Sequence, residues 1–225
     1  MIKIFIGFDS KEIVAYNVLQ YSINARASKP LTISPLNLNH LKDIFYRKRD
    51  SLQSTEFSFT RFLVPYLCKY EGWAIFMDCD MLVLDDISNL WNLRNDKYAI
   101  MCVKHDHNPQ TDIKFLNQTQ TKYEKKNWSS VMLINCYRCK ALTPEYVNNA
   151  SGLELHRFKW LESEDLIGEI PQKWNHLVDY NIPIESKNIS NLHYTEGGPY
   201  FKAYENCGYS KEWLHEFKNA TKTDL

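Results

Sequence analysis

No charge of one sign dominates this 225-residue sequence: 27 basic residues balance 27 acidic ones. That balance argues against a nucleic-acid protein and against a polybasic membrane anchor. No apolar run approaches the ~20 residues needed to cross a bilayer. The opening, Met1-Ile2-Lys3-Ile4-Phe5-Ile6, passes at once into Gly7-Phe8-Asp9 and reads as a first strand, not a signal peptide. The expected setting is therefore the cytoplasm, with peripheral membrane association still open. The glycine-rich GxGxxG fingerprint of dinucleotide enzymes is missing, as are internal repeats, low-complexity tracts and an interdomain linker. The six cysteines lack a second CxxC pair to complete a zinc site with Cys136 and Cys139, so they are expected as reduced thiols.

What is present is ample material for a core. Hydrophobic residues make up 44% of the chain and aromatic ones 14%, which excludes disorder and fits one sizeable domain. The apolar residues 2–6 suit a central parallel strand, and Ile13, Val14, Tyr16, Val18, Leu19 and Ile23 recur at helical spacing over about 11–25. Residues 31–33 predict a short strand ended by Pro35, and residues 54–70 a helix carrying Phe59, Phe62, Leu63, Tyr66 and Leu67. Further strands are expected at 98–103, 131–134 and 189–194. A short helix or loop is expected near 87–93, short helices near 144–150 and 153–163, and a terminal one after Tyr209. Strands alternating with helices predict an α/β fold.

The centre of the chain is Ala74-Ile75-Phe76-Met77-Asp78-Cys79-Asp80-Met81-Leu82-Val83-Leu84. An apolar strand ends in two carboxylates one residue apart, and apolar residues then resume. On an extended backbone such side chains share a face, ~7 Å apart. Asp78 and Asp80 thus converge at the carboxyl end of a strand, where open α/β sheets bind ligands. Two hard oxygen donors suit Mg²⁺ or Mn²⁺ shared with substrate phosphates. A diphosphate leaving group needs such a cation as its bond breaks.

Other residues can form the walls of such a site. Asp9, after the first strand, either accepts hydrogen bonds from a base or ribose or caps the following helix. Arg61 falls on the apolar side of the predicted helix at 54–70, from which it can swing toward a donor sugar or its phosphates. His193 closes a late strand. Gly197 and Gly198 follow it, with amides able to cradle phosphate, and then comes Lys202. Trp128 is either a stacking platform or a core side chain, and His105 either a metal ligand or structural. The polar loop at about 105–127 is a plausible flap over an acceptor.

Several blocks in order carry a resemblance: Ile4-Phe5-Ile6-Gly7-Phe8-Asp9, Ser58-Phe59-Thr60-Arg61-Phe62, Asp78-Cys79-Asp80, Asn127-Trp128-Ser129-Ser130 through Asn135, Lys173-Trp174-Asn175 and His193-Tyr194-Thr195. Together they resemble bacterial glycosyltransferases of the GT-A fold, close to the family-8 type and to a widespread bacterial subgroup of small sugar transferases. The resemblance implies a Rossmann-like mixed sheet flanked by helices in a single domain, with Mn²⁺ or Mg²⁺ held by Asp78, Asp80 and His193. It implies a nucleotide-sugar donor, most often a uridine one, lying across Gly7, Phe8 and Asp9 and beside Cys79. Arg61 then reaches the donor sugar or phosphates, and Gly197, Gly198 and Lys202 grip the diphosphate. Asp165 is the best match for the family's acidic residue near the reacting sugar, with Glu164 the fallback, and Asn135 is a candidate for hydrogen bonds to donor or acceptor. The family's glycine and lysine stand in shifted register here, and its Asp-Gln pair is Asp165-Leu166.

The expected domain runs over 1–225, with a nucleotide-binding half at about 1–104, an acceptor-side half at about 105–205 and a terminal helix and tail at about 206–225. The expected activity is metal-dependent transfer of a sugar, with retention, to a hydroxyl of a glycan or lipid-linked acceptor in polysaccharide biosynthesis. Rival readings fit less well. A haloacid-dehalogenase-type phosphatase would put its first aspartate in the opening strand. A nucleotidyltransferase would need a glycine-rich basic loop where Gly7-Phe8-Asp9-Ser10 stands. A sugar-binding module would not explain the nucleotide-style opening.

Overall fold

The computed structural model describes residues 1–49, 53–105, 113–114, 118–119 and 125–222. Six strands form the main sheet. Its centre is β3 (Trp73–Met77), flanked on one side by β1 (Ile2–Gly7) and then β2 (Leu31–Leu36), all parallel. On the other side β8 (Val131–Asn135) runs antiparallel to β3, followed by β5 (Ile100–Cys102) and β9 (Ile167–Glu169). The sheet is therefore mixed, with one reversed strand in the middle. Every residue of β3 except Trp73, and every residue of β5 and β8, is buried. A run with no polar alternation is what a strand covered on both faces requires.

Helix α1 (Ile13–Arg26) covers part of the sheet through Ala15, Tyr16, Val18, Leu19, Ser22 and Ile23. The terminal helix, α6 (Ser210–Ala220), packs against α1, and Arg26 reaches Glu216 across the gap. A second, small sheet sits beside the first. Its central strand β11 (Asn191–His193) pairs antiparallel with β4 (Met81–Val83) and parallel with β10 (His176–Leu177). The chain leaves the main sheet at Met77 and enters the small one at Met81. Asp78, Cys79 and Asp80 make the corner between them. A two-residue pair, β6 (Ile113–Lys114) with β7 (Gln118–Thr119), accounts for the described part of the expected acceptor flap; most of that flap lies outside the described residues.

Three expected elements differ from the structure. The long helix at 54–70 is only a 3-10 turn, Thr60–Leu63, continued by one turn of α2 (Val64–Leu67). Pro65 sits in the first turn of α2, and Lys69 and Tyr70 take positive φ just beyond, which stops it. Upstream, Glu56 is held out of a helix: its amide donates to Asp9 Oδ2 at 3.0 Å, and its carboxylate accepts from Ser10. The helix at 153–163 is reduced to α5 (Gly152–His156), started by a Ser151–Glu154 capping box and closed by Phe158 at φ 57°. Pro35 does not end β2. That strand pairs only with β1, so the missing N–H costs no ladder bond.

Candidate metal centre and active site

Strand register explains why residues far apart in sequence meet. His193 pairs with Met81 across β11 and β4, and the Tyr194 amide donates to the Asp80 carbonyl at 2.9 Å. The imidazole is thereby brought beside the corner. Its Nε2 lies 3.4 Å from Asp80 Oδ1 and 4.0 Å from Asp78 Oδ2, and one ligand atom from each of the three residues falls within 4.8 Å of the others. Nδ1 of His193 is 2.9 Å from Asn175 Oδ1. An amide oxygen can only accept, so Nδ1 carries the proton and the Nε2 lone pair faces the carboxylates. Asn175 is itself oriented by donating to the Asn127 carbonyl at 3.1 Å.

These donors fit a divalent cation. Asp78 Oδ1 and Asp80 Oδ1 are buried acceptors without a hydrogen-bond partner, which native proteins avoid unless something else satisfies them. Arg61 Nη1 does approach Asp78 Oδ1 to 2.9 Å, but it aims its hydrogen bond at the Ser129 carbonyl, also 2.9 Å away. Asp78 thus gains a nearby charge without an aligned donor. Burial pushes its carboxyl up to about 6, against the pull of Arg61. Two carboxylates and one imidazole leave further coordination positions for water or phosphate oxygens.

Around this centre the other expected residues divide. Arg61 is buried, with its guanidinium over the Phe76 and Phe57 rings at 4.9 Å and 5.4 Å, so it neutralises Asp78 rather than reaching outward. Asp9 is buried and spends one oxygen on the Lys11 amide and the other on Glu56, fastening the turn before α1. Gly7 is required by packing: a Cβ there would lie 2.3 Å from the Phe57 ring. Phe8 packs edge-on against Tyr16. Gly197 takes φ 133°, in the region that favours glycine, and a Cβ on Gly198 would strike the Tyr200 ring at 2.3 Å. Lys202 is exposed at the start of a 3-10 turn.

Two expected residues are not brought to the site. Asn135 pairs with Trp73, at the end of β3 opposite Asp78, and its side chain donates to the Tyr98 carbonyl. Asp165 precedes β9, which runs parallel to β5 and hence to β3. The amide of Ala99 donates to Leu166, so Asp165 also stands at that opposite edge, exposed, ~15 Å from the corner along the strand direction alone and three strands across the sheet. Glu164, beside it, pairs with Lys125. The shortened helix α5 lets the chain return to the sheet early, and this leaves both acids at the far edge.

Sequence reading missed four neighbours of the centre. Asn175 lies in the Lys173-Trp174-Asn175 block, but nothing in that block marks its contact with His193. Ser129 Oγ is 2.8 Å from His156 Nδ1, a ring packed on Phe62 and Phe59. Glu12, an ordinary helix-start acid by sequence, is buried and receives hydrogen bonds from Tyr200 Oη at 3.0 Å and Cys79 Sγ at 3.6 Å. Burial, with Asp80 and Asp9 nearby, pushes the Glu12 carboxyl up to about 8.

The mixed sheet flanked by helices is the fold of GT-A glycosyltransferases, and solved structures share that fold. The galactosyltransferase LgtC, solved with donor and acceptor sugar analogues, aligns over 99% of this chain and 97% of its own, with TM-score 0.61 and 11% identity. The bifunctional glycosyltransferase WbbM aligns over 97% of this chain, with TM-score 0.60 and 14% identity, and the present chain spans 50% of its length. At sequence level, Protein CDI of Arabidopsis thaliana is 46% identical over 98% of this chain and 87% of its own. Residues 13–147 match the description of glycosyl transferase family 8, and the chain belongs to that family. It is a glycosyltransferase. The bacterial setting expected from the sequence is not shown by these similarities, since Protein CDI comes from a plant.

Proposed function

We propose that this enzyme moves a sugar from a nucleoside diphosphate donor, most naturally a uridine one, to a hydroxyl of a glycan or lipid-linked acceptor, with retention. The observation that carries this reading is the meeting of Asp78, Asp80 and His193 around two partnerless carboxylate oxygens, in a chain of family 8. These residues would hold Mn²⁺ or Mg²⁺. Bound there, the cation would offset the charge that develops on the departing diphosphate.

The remaining work falls to the chain. Asn175 fixes the His193 tautomer that exposes a lone pair. Arg61 holds Asp78 in place and lends positive charge next to the phosphates. Gly197 and Gly198 let the backbone approach the diphosphate, with Lys202 at the end of the same loop. With Asp165 and Asn135 at the opposite edge, no carboxylate from that segment is offered as a covalent nucleophile. The acceptor hydroxyl then attacks from the leaving-group side and passes its proton to the departing phosphate. The acceptor side is formed within about 105–205, a stretch that also lends His193, Gly197, Gly198 and Lys202 to the diphosphate, and the rest of the nucleotide side by residues of about 1–104.

A thermal-shift screen of UDP-, GDP- and dTDP-sugars with and without Mn²⁺ tests the proposal. One nucleotide class is expected to stabilise the protein only when metal is present, and Asp80→Ala is expected to abolish the effect. Stabilisation that is equal without metal, or none by any nucleotide, would overturn it.

A further inference from the structure

Glu12 belongs to none of the roles described so far, yet it touches three parts of the site. It closes the turn after β1, where its amide donates to the Asp9 carbonyl at 3.0 Å, and it stands one residue before α1. One carboxyl oxygen accepts from Cys79, the middle residue of the Asp-x-Asp corner. Cys79 is fully buried. The other oxygen accepts from Tyr200, which follows the glycine pair by two residues. Tyr200 fills the space that a side chain on Gly198 would need, and its ring lies 5.3 Å from that of Trp213 on α6.

We infer that Glu12 is a positioning residue which, through Tyr200 and Cys79, holds the glycine loop in register with the Asp-x-Asp corner so that both can engage one diphosphate. The inference rests on the proposed nucleotide-sugar site and adds to it the residue that aligns its two halves. Its physical basis is preorganisation: a loop fixed before binding does not have to be ordered by the ligand. An acid accepts both bonds without presenting a side-chain carboxamide N–H to the Asp80 side, but the accepting geometry, not the charge, is what the role needs. Glutamine, whose amide oxygen can accept from Tyr200, should therefore serve almost as well.

The probes are Mn²⁺ alone, followed by its electron paramagnetic resonance signal, and UDP in saturating Mn²⁺, followed by calorimetry. Tyr200→Phe keeps the ring against Gly198 and Trp213 and removes only the hydroxyl, so it folds even where Glu12→Ala does not. Tyr200→Phe is expected to bind Mn²⁺ alone as the wild type does and UDP–Mn²⁺ about tenfold more weakly, one hydrogen bond's worth. Glu12→Gln is expected to stay within about threefold of wild type, and adding Tyr200→Phe to Glu12→Ala is expected to cause little further loss. Unchanged UDP–Mn²⁺ binding by Tyr200→Phe, or equal weakening for Mn²⁺ alone, overturns the inference and leaves the nucleotide-sugar reading intact. A wild-type protein that takes up Mn²⁺ but no UDP overturns the inference together with the donor it rests on.

Discussion

Asn175 shows how much one uncharged side chain can decide. It is not itself an expected metal ligand, yet its oxygen determines which His193 nitrogen carries the proton. Partners of this kind behind metal-binding histidines alter affinity about 10–100-fold when removed. Asn175→Ala is therefore expected to weaken Mn²⁺ binding by about that factor while leaving the fold intact, as read by metal titration beside circular dichroism. Asn175→Asp should do less harm, since a carboxylate oxygen also accepts from Nδ1–H. Residue identity gave no hint of this contact, because Asn175 and His193 become neighbours only when β10 and β11 pair in parallel.

Among the elements, legibility followed the apolar pattern. β1, β3, β8 and α1 were readable because unbroken or helically spaced hydrophobics leave few alternatives. The helix expected at 54–70 had the right periodicity, but Asp9, which accepts from the Glu56 amide, and Ser10, which donates to the Glu56 carboxylate, both nearly fifty positions earlier, hold Glu56 in a loop. No local window contains that information. The same limit explains Asp165 and Asn135. Each was placed by its position in a motif, and each was misdirected by strand direction, which a sequence does not print. The carboxyl end of β3 and the amino end of β9 lie on opposite edges because three pairings, two antiparallel and one parallel, intervene. Asp165→Asn is accordingly expected to keep sugar transfer within about threefold of wild type in a steady-state assay. A loss of a hundredfold or more would mean that the edge strand moves during turnover.

For the whole molecule, buried acids make stability depend on pH. Glu12 titrates near 4.5 in an unfolded chain and at about 8 when buried beside Asp80, Asp9, Tyr200 and Cys79. Below pH 4.5 both states hold the proton. As pH rises, the unfolded chain releases it first, so this contribution to stability is full at low pH and is lost as pH passes through about 8. Asp78 acts in the same direction, from 3.8 to about 6, so above about 6.5 its contribution is largely spent while that of Glu12 is still being lost. In chelator, chemical denaturation should show wild-type stability falling above about pH 6.5 by at most ~1.4 kcal/mol per pH unit. Glu12→Gln should flatten the slope. Among the described residues no helix is long and apolar enough to cross a membrane.

The pairing of β4 with β11 also bears on how the protein is made. Asp78 and Asp80 leave the ribosome long before His193, and β11 can dock on β4 only after the 113 residues from Met81 to His193 have followed. A nascent or prematurely terminated chain would carry the carboxylates without the imidazole. Assembly of the three-residue cluster thus waits for β11, and products that stop short of it are left without the imidazole.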